Sequence, residues 1–451
     1  MAIEGGEARR GEVLLAGSSP DPIALHAIRR KRRWPPLTRP PSPPPSPPFL
    51  VVVVAVAVAV TAAAVFEQSG ALRLLNQELE EVQDVVRSLP FSSLPDRRVV
   101  LGCGSVCVDF LAAVASYPKP DDKIRSTSLE VRGGGNAGNA LTCAARLGLK
   151  PRLISKVADD AQGRSILAEL EADGVDTSFL VVAKEGNSPF TYIIVDDQMK
   201  TRTCIHTPGY PPMVPHDLSQ TNLLSAIDGA RIVYFDGRLY ETALVVAQEA
   251  VRRKIPILID AERPREGLDD LLKLADYAVC SAKFPQAWTD APSFASALVS
   301  VMLRLPNLRF VIVTLGGEGS IMLERSTEGN SQEEVDVDNL LEILKERKDD
   351  VATIPTYVSS SVSQLKAKGI GTVHGRLLLG TAEKIPPQEL IDTTGAGDAF
   401  IGATLYAICA NMSPEKLLPF AAQVAAANCR ALGARTSLPY LTDPRLVPFL
   451  S

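Results

Sequence analysis

Residues 392–400 read Asp-Thr-Thr-Gly-Ala-Gly-Asp-Ala-Phe, and an apolar run that predicts a helix continues from there. A glycine-rich loop that opens a helix leaves backbone N–H groups unpaired and aimed at one point, where the helix dipole also favours negative charge. An anion bound to the N–H groups of Gly395, Ala396 and Gly397 would lie within reach of the Asp398 carboxylate. The stretch therefore predicts a phosphate site beside a candidate general base, which suggests phosphoryl transfer.

The composition excludes several functional classes. The chain has 451 residues, of which 46% are hydrophobic, so it can form one large α/β domain or two smaller ones. Its formal net charge of -5 lacks the basic excess of nucleic-acid-binding proteins, and we expect no nucleic-acid partner. Seven cysteines without paired CxxC spacing favour a reducing compartment, cytosol or plastid, over a disulfide framework. Four scattered histidines argue against a histidine-rich zinc site.

Residues 1–89 form an N-terminal extension whose composition differs from the rest of the chain. A basic cluster at residues 29–33 precedes a proline-rich segment at residues 35–48, and residues 49–66 are then almost purely valine and alanine. The apolar segment approaches the ~20 residues that span a bilayer. A membrane anchor, an organelle-targeting extension and an extension without function all stay open. The spacing of leucine and valine at residues 68–89 predicts a linking helix.

From residue 98 onward, apolar strand-like runs alternate with amphipathic helical stretches. The apolar runs predict strands at residues 99–101, 152–157, 232–235, 257–259, 277–280 and 310–315. This alternation predicts an α/β fold over residues 98–445, in which a central, mostly parallel sheet is flanked by helices.

Two regions interrupt the alternation. Residues 190–206 contain two β-rich runs around a polar turn and predict an antiparallel hairpin. With a strand-like segment near residues 121–132, the hairpin predicts a small β-sheet lid that stands off the main domain, and exposed lid strands predict a homodimer through the lid. Residues 327–368 are charged and serine-rich, and we interpret them as a solvated insertion with a surface helix at residues 333–348.

A second glycine-rich stretch, Gly133 to Asn139, precedes a predicted helix. Its letters match the G-x-G-x-x-G fingerprint, and Asp159 lies at about the distance that a dinucleotide-binding fold requires, so a Rossmann interpretation stays open. The fingerprint should directly follow the first strand, however, whereas about thirty residues intervene here. The amides of Asn136 and Asn139 suit contacts with hydroxyl groups, and a purely structural helix-entry turn is the third interpretation.

Two further stretches are candidate ligand sites, although each also fits a structural turn. Asp109 is predicted at the end of the first strand, where ligands bind in open α/β sheets and where an acid can accept hydrogen bonds from a sugar hydroxyl. Thr314, Gly316 and Gly319 belong to a turn that closes an apolar strand, and such a turn lets a nucleotide approach the backbone. Because no Gly-Lys-Ser/Thr follows a glycine loop, a P-loop is not predicted.

These elements, in this order from about residue 98 to residue 441, resemble the PfkB (ribokinase-like) carbohydrate kinases. Residues 134–139 resemble the N-terminal signature of that family, and residues 392–402 resemble its highly specific C-terminal signature. Residues 117–125, 202–203, 236–238 and 262–266 resemble segments of the ketohexokinases within the family. The Asn-x-x-Glu motif of most members is absent near residues 280–283, as it is in ketohexokinases.

The resemblance implies ATP-dependent phosphorylation of a sugar hydroxyl, with ATP and Mg²⁺ required and a lid that excludes water. It implies that Asp398 is the general base and that the N–H groups of Gly395, Ala396 and Gly397 form an anion hole. The implied sugar contacts are Asp109, Asp121, Gly135, Asn136, Asn139 and Arg202, and the implied nucleotide contacts are Thr314, Gly316 and Gly319. The family also implies a monovalent cation such as K⁺, with Asp392, Thr394, Gly433 and Ser437 as candidate ligands.

Three functions agree with the sequence. The first is a sugar kinase like the ketohexokinases, and the second is a family kinase that acts on ribose, a nucleoside or a polyol. The third is a catalytically weak, kinase-like scaffold that acts by binding partners. The absent Asn-x-x-Glu motif and the insertion favour the scaffold, whereas the intact loop before Asp398 opposes it.

Overall fold

The computed structural model describes residues 98–199, 201–327 and 333–450. The predictions made for residues 1–89, including the apolar segment at residues 49–66, lie outside these ranges. Within the described ranges, no helix has the length and apolar character needed to cross a membrane.

The strands and helices alternate along most of the described chain. The strands are β1 (Val99–Cys103), β2 (Cys107–Val114), β3 (Ser128–Gly134), β4 (Lys150–Ala158), β5 (Leu180–Ala183), β6 (Phe190–Asp196), β7 (Thr201–Thr207), β8 (Ile232–Phe235), β9 (Ile257–Ala261), β10 (Tyr277–Ser281), β11 (Phe310–Thr314), β12 (Ser320–Arg325), β13 (Glu334–Asp336), β14 (Tyr357–Ser359), β15 (Ser363–Ala367) and β16 (Gly371–Gly380). The helices are α1 (Asn136–Arg146), α2 (Ala161–Ala172), α3 (Gln220–Ile227), α4 (Tyr240–Arg252), α5 (Leu268–Leu272), α6 (Phe284–Thr289), α7 (Phe294–Arg304), α8 (Val337–Glu346), α9 (Ala396–Cys409), α10 (Pro414–Asn428) and α11 (Val447–Leu450).

The main sheet has twelve strands, in the order β13-β15-β16-β12-β11-β10-β9-β8-β1-β4-β5, with β14 paired to β16. The strands from β11 to β5 in this order are parallel, and β12 and β16 are antiparallel to their neighbours. All six strands predicted from apolar runs are present, which confirms the mostly parallel α/β fold. Successive residues of β1 belong to two different buried apolar clusters, because their side chains point to opposite faces of the sheet. Leu101 packs in one cluster, and Val100 packs in the other. Burial on both faces explains why these strands are continuous apolar runs.

The second sheet is the predicted lid and has the order β3-β2-β6-β7. Strands β6 and β7 form the predicted antiparallel hairpin, and β2 pairs in parallel with β6. The sequence does not predict β2 as a separate strand. Only three residues separate it from β1, so the apolar residues of β1 and β2 form one run in the sequence. The structure therefore corrects the expectation for Asp109, which lies on the lid rather than at the end of β1. Strand β3 begins later than the predicted lid strand near residues 121–132. It starts at Ser128, because residues 121–127 form irregular structure.

The region interpreted as a solvated insertion extends the edge of the main sheet instead. Strands β13 and β15 pair with each other, and β14 and β15 both pair with β16. Val337 and Leu344 of α8 and Leu365 of β15 are buried. Strands of three to five residues separated by polar turns give almost no alternation of apolar and polar residues, so the sequence pattern did not reveal them.

Helices α1 and α9 approach each other closely at Gly402. A Cβ atom on Gly402 would lie 2.6 Å from the backbone oxygen of Ala140 and 2.6 Å from the Cβ of Cys143, so only glycine fits without a shift of the helices. The first turns of the two helices carry Asn139 and Asp398. The glycine contact therefore helps to place the two glycine-rich stretches of the sequence against each other.

We expect Gly402→Ala to lower the free energy of unfolding by about 1–3 kcal/mol, because overpacking outweighs the higher helix propensity of alanine. Urea denaturation of the full chain measures this. Gly397→Ala is the matched control in the same helix, since its Cβ would meet no atom within 4 Å. A Gly402→Ala protein as stable as the Gly397→Ala protein would show that the helices do not need this close approach.

Candidate active site

A polar cavity of about 510 Å³ lies between the lid and the carboxyl ends of strands β9 to β11. We call it the acceptor cavity. Its polar lining includes Ser105, Asp109, Asn136, Asn139, Thr191, Arg202, His206, Arg238, Asp260, Glu262 and Asp398. The structure thus brings together residues from both glycine-rich stretches, from the lid and from the sheet. Gly135, Thr314, Thr394, Gly395 and Gly397 also line it.

A second cavity of about 370 Å³, the nucleotide cavity, adjoins the first and is mainly apolar. Gly316, Gly317 and Gly319 form one wall, and residues of α9 and α10, including Phe400 and Ala426, form the other. Apolar walls beside a glycine turn suit a flat ligand group such as a nucleobase. Thr314 and Gly397 line both cavities, so the two meet at the first turn of α9.

The loop before Asp398 enters α9 through a glycine, as the sequence predicts, but one of the three N–H groups predicted to be free, that of Ala396, is bonded. Gly395 caps α9 with φ 75°, and a Cβ there would lie 2.5 Å from the Cβ of Ala434, so glycine is required on both counts. The Ala396 N–H donates a long hydrogen bond of 3.3 Å to Thr393 O. The following N–H groups of Gly397 and Asp398 belong to the helix turn that has no intrahelical acceptors. They are consequently available to an anion at the junction of the two cavities.

Asp398 lies at this junction, and its burial raises the pKa of its carboxyl group to about 7. Asn139 Nδ2 donates a hydrogen bond of 2.8 Å to Asp398 Oδ2, which together with the positive charge of Arg238 limits the increase. The charges of Glu262 and Asp236 act in the opposite direction. A carboxylate with a pKa near 7 is a far better proton acceptor at neutral pH than an exposed aspartate.

Charged side chains at the ends of β8 and β9 surround Arg238. Its Nη2 atom lies 3.1 Å from Glu262 Oε2, and Arg265 also donates to that oxygen at 2.7 Å. Asp236 is fully buried and accepts hydrogen bonds from the N–H and hydroxyl groups of Ser105 at 2.7 and 2.6 Å. Asp260 is buried as well, and burial followed by the charge of Asp398 raises its pKa well above the usual range.

The cavity-facing side of the lid is polar. Strand pairing aligns Arg132, Asp109, Thr191 and His206 in one row across the four strands. Asp109 is buried against Cys107, whose Sγ donates to it at 3.1 Å, and burial raises the pKa of Asp109. Arg202 reaches out of the lid and donates a 2.9 Å hydrogen bond to Thr393 Oγ1. This hydrogen bond connects the lid directly to the loop before α9.

The four residues predicted to bind a monovalent cation lie together beside that loop. Asp392 is buried and accepts from Thr394 N at 2.9 Å and from Gly433 N at 2.9 Å. Asn428 connects the other residues: its Nδ2 donates to Thr394 O at 2.9 Å, and its backbone oxygen accepts from Ser437 Oγ at 2.7 Å. Asn428 Oδ1 is buried and has no hydrogen-bond partner in the described chain. A group of oxygen atoms with one unpaired acceptor is compatible with a bound hard cation.

One predicted residue lies apart. Asp121 occupies an exposed turn with φ 67°, and it is not among the residues lining either cavity. Sequence reasoning missed the cavity residues Asp260, Thr191 and His206, and it noted Arg238 and Glu262 only within resembling segments, without a role at the site. Asp236 directly follows β8 and Asp260 lies near the end of β9. The rule that ligands bind at the carboxyl ends of parallel strands would have pointed to both.

Comparison with known proteins identifies the family and the fold. A sequence profile described as pfkB family carbohydrate kinase matches residues 97–338 and 379–441. Mus musculus ketohexokinase is 21% identical over 347 residues, which cover 75% of this chain and 98% of that protein. Mus musculus ribokinase is 23% identical over 358 residues, which cover 78% of this chain and 94% of that protein. The structure of Arabidopsis thaliana ribokinase complexed with ribose and ATP matches with a TM-score of 0.56 at 19% identity, covering 79% of this chain and 99% of that one.

Proposed function

Since the chain belongs to the pfkB family of carbohydrate kinases, we propose that it transfers the terminal phosphoryl group of ATP to a hydroxyl group of a small sugar, as a ketohexokinase does. The position of Asp398 carries the proposal, because this base lies where a polar cavity and an apolar cavity meet. The polar cavity fits a sugar, and the apolar cavity beside the glycine turn fits the adenosine of ATP.

In the proposed reaction, the Asp398 carboxylate accepts the proton of the attacking hydroxyl group, which contributes roughly 10²–10⁴-fold to the rate. The sugar oxygen then forms a bond to the terminal phosphorus while the bond from that phosphorus to the leaving ADP oxygen breaks. The N–H groups of Gly397 and Asp398 in the first turn of α9 stabilise the charge on the transferred group, and one such donor is worth about 10²–10³-fold. The Arg202 to Thr393 hydrogen bond holds the lid near the loop and helps to exclude water.

The residues present fit a magnesium ion that is bound largely by its substrate. No group of three or more His, Cys, Asp or Glu side chains in the described ranges is placed to bind a metal. Mg²⁺ in phosphoryl-transfer enzymes takes one or two carboxylates and completes its ligands with phosphates and water. Asp260 and Glu262, which both line the acceptor cavity, are the carboxylates that would hold it. The ion would supply neutralisation of phosphate charge.

The experiment that tests the function incubates the protein with ATP, Mg²⁺ and K⁺ and a panel of ketoses, aldoses, nucleosides and polyols, and measures ADP release. We expect kcat/KM to rise with pH through about 7, because Asp398 must be ionised to accept a proton and is only about one tenth ionised at pH 6. Asp398→Asn should lower kcat by at least about 10²-fold and abolish this pH dependence, while ATP binding persists.

Asp228→Asn is the control and should keep wild-type turnover, because it changes an exposed aspartate in the turn between α3 and β8 that lines neither cavity. Turnover confined to ribose, a nucleoside or a polyol would replace the ketohexokinase-like assignment with the second family function. An absence of product with every acceptor would favour the scaffold. Wild-type activity in the Asp398→Asn protein would show that Asp398 is not the general base.

The outer side of the lid supports a second proposal, a homodimer formed through the lid. Val131, Phe110, Tyr192 and Ile205 are aligned across the four strands on the face opposite the polar row. The side chains of Val131, Tyr192 and Ile205 are 49%, 51% and 54% exposed. An apolar, exposed row across the lid fits the same face of a second copy of this chain.

We expect light scattering to give twice the chain mass for the wild type and the chain mass for Tyr192→Glu, because the new charge would be buried without a partner. Val351→Glu places the same charge on an 89% exposed valine outside the lid and should stay dimeric. A monomeric wild type, or a dimeric Tyr192→Glu, would argue against an interface on this face.

We also propose that K⁺ binds among the oxygen atoms around Asp392, as the family resemblance implies. Replacing K⁺ with tetramethylammonium at constant ionic strength should lower kcat/KM about 5-fold or more, because the ion would orient the loop before α9. Ser437→Ala removes one oxygen and should weaken the K⁺ response, with Thr436→Ala, the exposed neighbour, as control. Equal activity in both salts would exclude a role for the ion.

A further inference from the structure

Arg435 is a buried cation with fixed donors close to the site. It follows α10 and is only 5% exposed. Its Nε donates a 2.9 Å hydrogen bond to Asn139 Oδ1, and its Nη2 donates a 2.8 Å hydrogen bond to Gly134 O. Its own backbone oxygen accepts from Arg146 Nη1 at 2.7 Å, which anchors this part of the chain to α1. The guanidinium group therefore connects the C-terminal segment with the second glycine-rich stretch.

Two glycines of that stretch make room for the guanidinium group. A Cβ on Gly133 would lie 2.5 Å from Arg435 Nη1, and a Cβ on Gly138 would overlap Nη2. The same stretch resembled a dinucleotide fingerprint in the sequence. In the structure, these glycines accommodate an arginine of the same chain, so the fingerprint has a different physical cause.

The chemistry of arginine fixes the orientation of the Asn139 side chain. A guanidinium group only donates hydrogen bonds, whereas an amide has one accepting oxygen and one donating NH₂ group. Because Arg435 Nε faces the amide, Asn139 must direct its oxygen toward Arg435. Its NH₂ group then faces Asp398, where it donates at 2.8 Å. A rotated amide would place its oxygen against Asp398 and would stabilise the protonated acid instead.

We propose that Arg435 is a positioning residue for the catalytic base, acting through the orientation of the Asn139 amide. This inference rests on the proposed function, in which Asp398 accepts the substrate proton. Arg435 touches neither Asp398 nor the junction of the two cavities, so its effect passes through Asn139. It keeps the base ionised at a pH where the cavity alone would protonate it.

The charged groups that face Asp398 from other elements stay in place when Arg435 is replaced. Arg238 and Glu262 are paired with each other, Asp236 is bonded to Ser105, and Asp260 lies at the end of β9. The groups around Arg435 are Glu169, Asp173, Cys107 and Asp109. Loss of the Asn139 donor should therefore raise the pKa of Asp398 by about one unit, which is a tenfold loss of ionised base below that pKa.

Two substitutions of Arg435 distinguish the loss of its hydrogen-bond donor from the loss of its positive charge. Arg435→Gln places an amide nitrogen at the position of Nε and can still donate to Asn139, whereas Arg435→Met places a methyl group there. Both remove the positive charge. We expect the acidic limb of the kcat/KM profile to move up by about one pH unit in Arg435→Met and to stay within about 0.3 unit of wild type in Arg435→Gln. At pH 9, where the base is ionised in every variant, the turnover of Arg435→Met should approach that of Arg435→Gln.

Asn139→Ala completes the test and covers the case in which Arg435→Met does not fold. The Asn139→Ala protein should show the same upward shift of the acidic limb of the kcat/KM profile. The double variant with Arg435→Met should shift no further, because both changes remove the same hydrogen bond from Asn139 to Asp398. The proposal is overturned if Asn139→Ala keeps the wild-type limb, or if Arg435→Gln shifts the limb as far as Arg435→Met.

A measurement without turnover keeps this inference separate from the proposed function. The ¹³C carboxyl resonance of Asp398, identified by its loss in Asp398→Asn, reports its pKa in the protein free of substrates. We expect the same order, with Arg435→Met and Asn139→Ala above wild type and Arg435→Gln near it. If the wild type lacks kinase activity but this order holds, the proposed function fails and the positioning of Asp398 by Arg435 stands. The same pKa in all variants would overturn the positioning.

Discussion

The hydrogen bond from Asn139 to Asp398 joins two helix starts that are 259 residues apart in the chain, and the site depends on it. Helix α1 follows strand β3 of the lid, and α9 follows strand β16 of the main sheet. The hydrogen bond therefore connects a helix that follows the lid with a helix that follows the main sheet. Gly402 lets the two helices approach closely and so helps to bring these groups together. A bond between such distant segments makes the site a product of the whole fold rather than of one motif.

The division between a polar and an apolar cavity follows from the elements that enclose them. The lid and the ends of parallel strands supply hydrogen-bonding groups, because a strand end exposes side chains that a sheet interior would bury. Helices α9 and α10 supply alanine and phenylalanine on the other side. Gly397 separates the two environments and leaves open space at the junction, since its missing Cβ would face no other atom. Gly397 and Thr314 line both cavities, so a group transferred between the cavities would pass beside them.

The sequence predicts those parts of the fold that have a local physical cause. A strand buried on both faces must be apolar, so the central strands were found, and an acid after a glycine loop at a helix start identifies Asp398. Strand β2 and the short strands at the edge of the main sheet were not predicted, because none of them forms a separate run of alternating apolar and polar residues in the sequence. Arg435 also gave no signal, since its partners Asn139 and Gly134 are distant in sequence and a lone arginine ordinarily predicts a solvated side chain.

Two buried carboxyl groups near one another must compete for protons, and their surroundings decide which one acts as base. Asp260 is buried at the end of β9, and burial together with the charge of Asp398 raises its pKa well above the usual range. Asp398 has a donated hydrogen bond from Asn139 and the positive charge of Arg238, which keep its pKa at about 7. Asp260 also accepts an amide hydrogen bond, but its bond from Asn136 Nδ2 is 3.3 Å long, whereas the bond from Asn139 Nδ2 to Asp398 is 2.8 Å long. Because the shorter bond requires the Asn139 amide to keep its orientation, we expect the protonation of Asp398 to depend on Arg435, which donates to Asn139 and lines neither cavity.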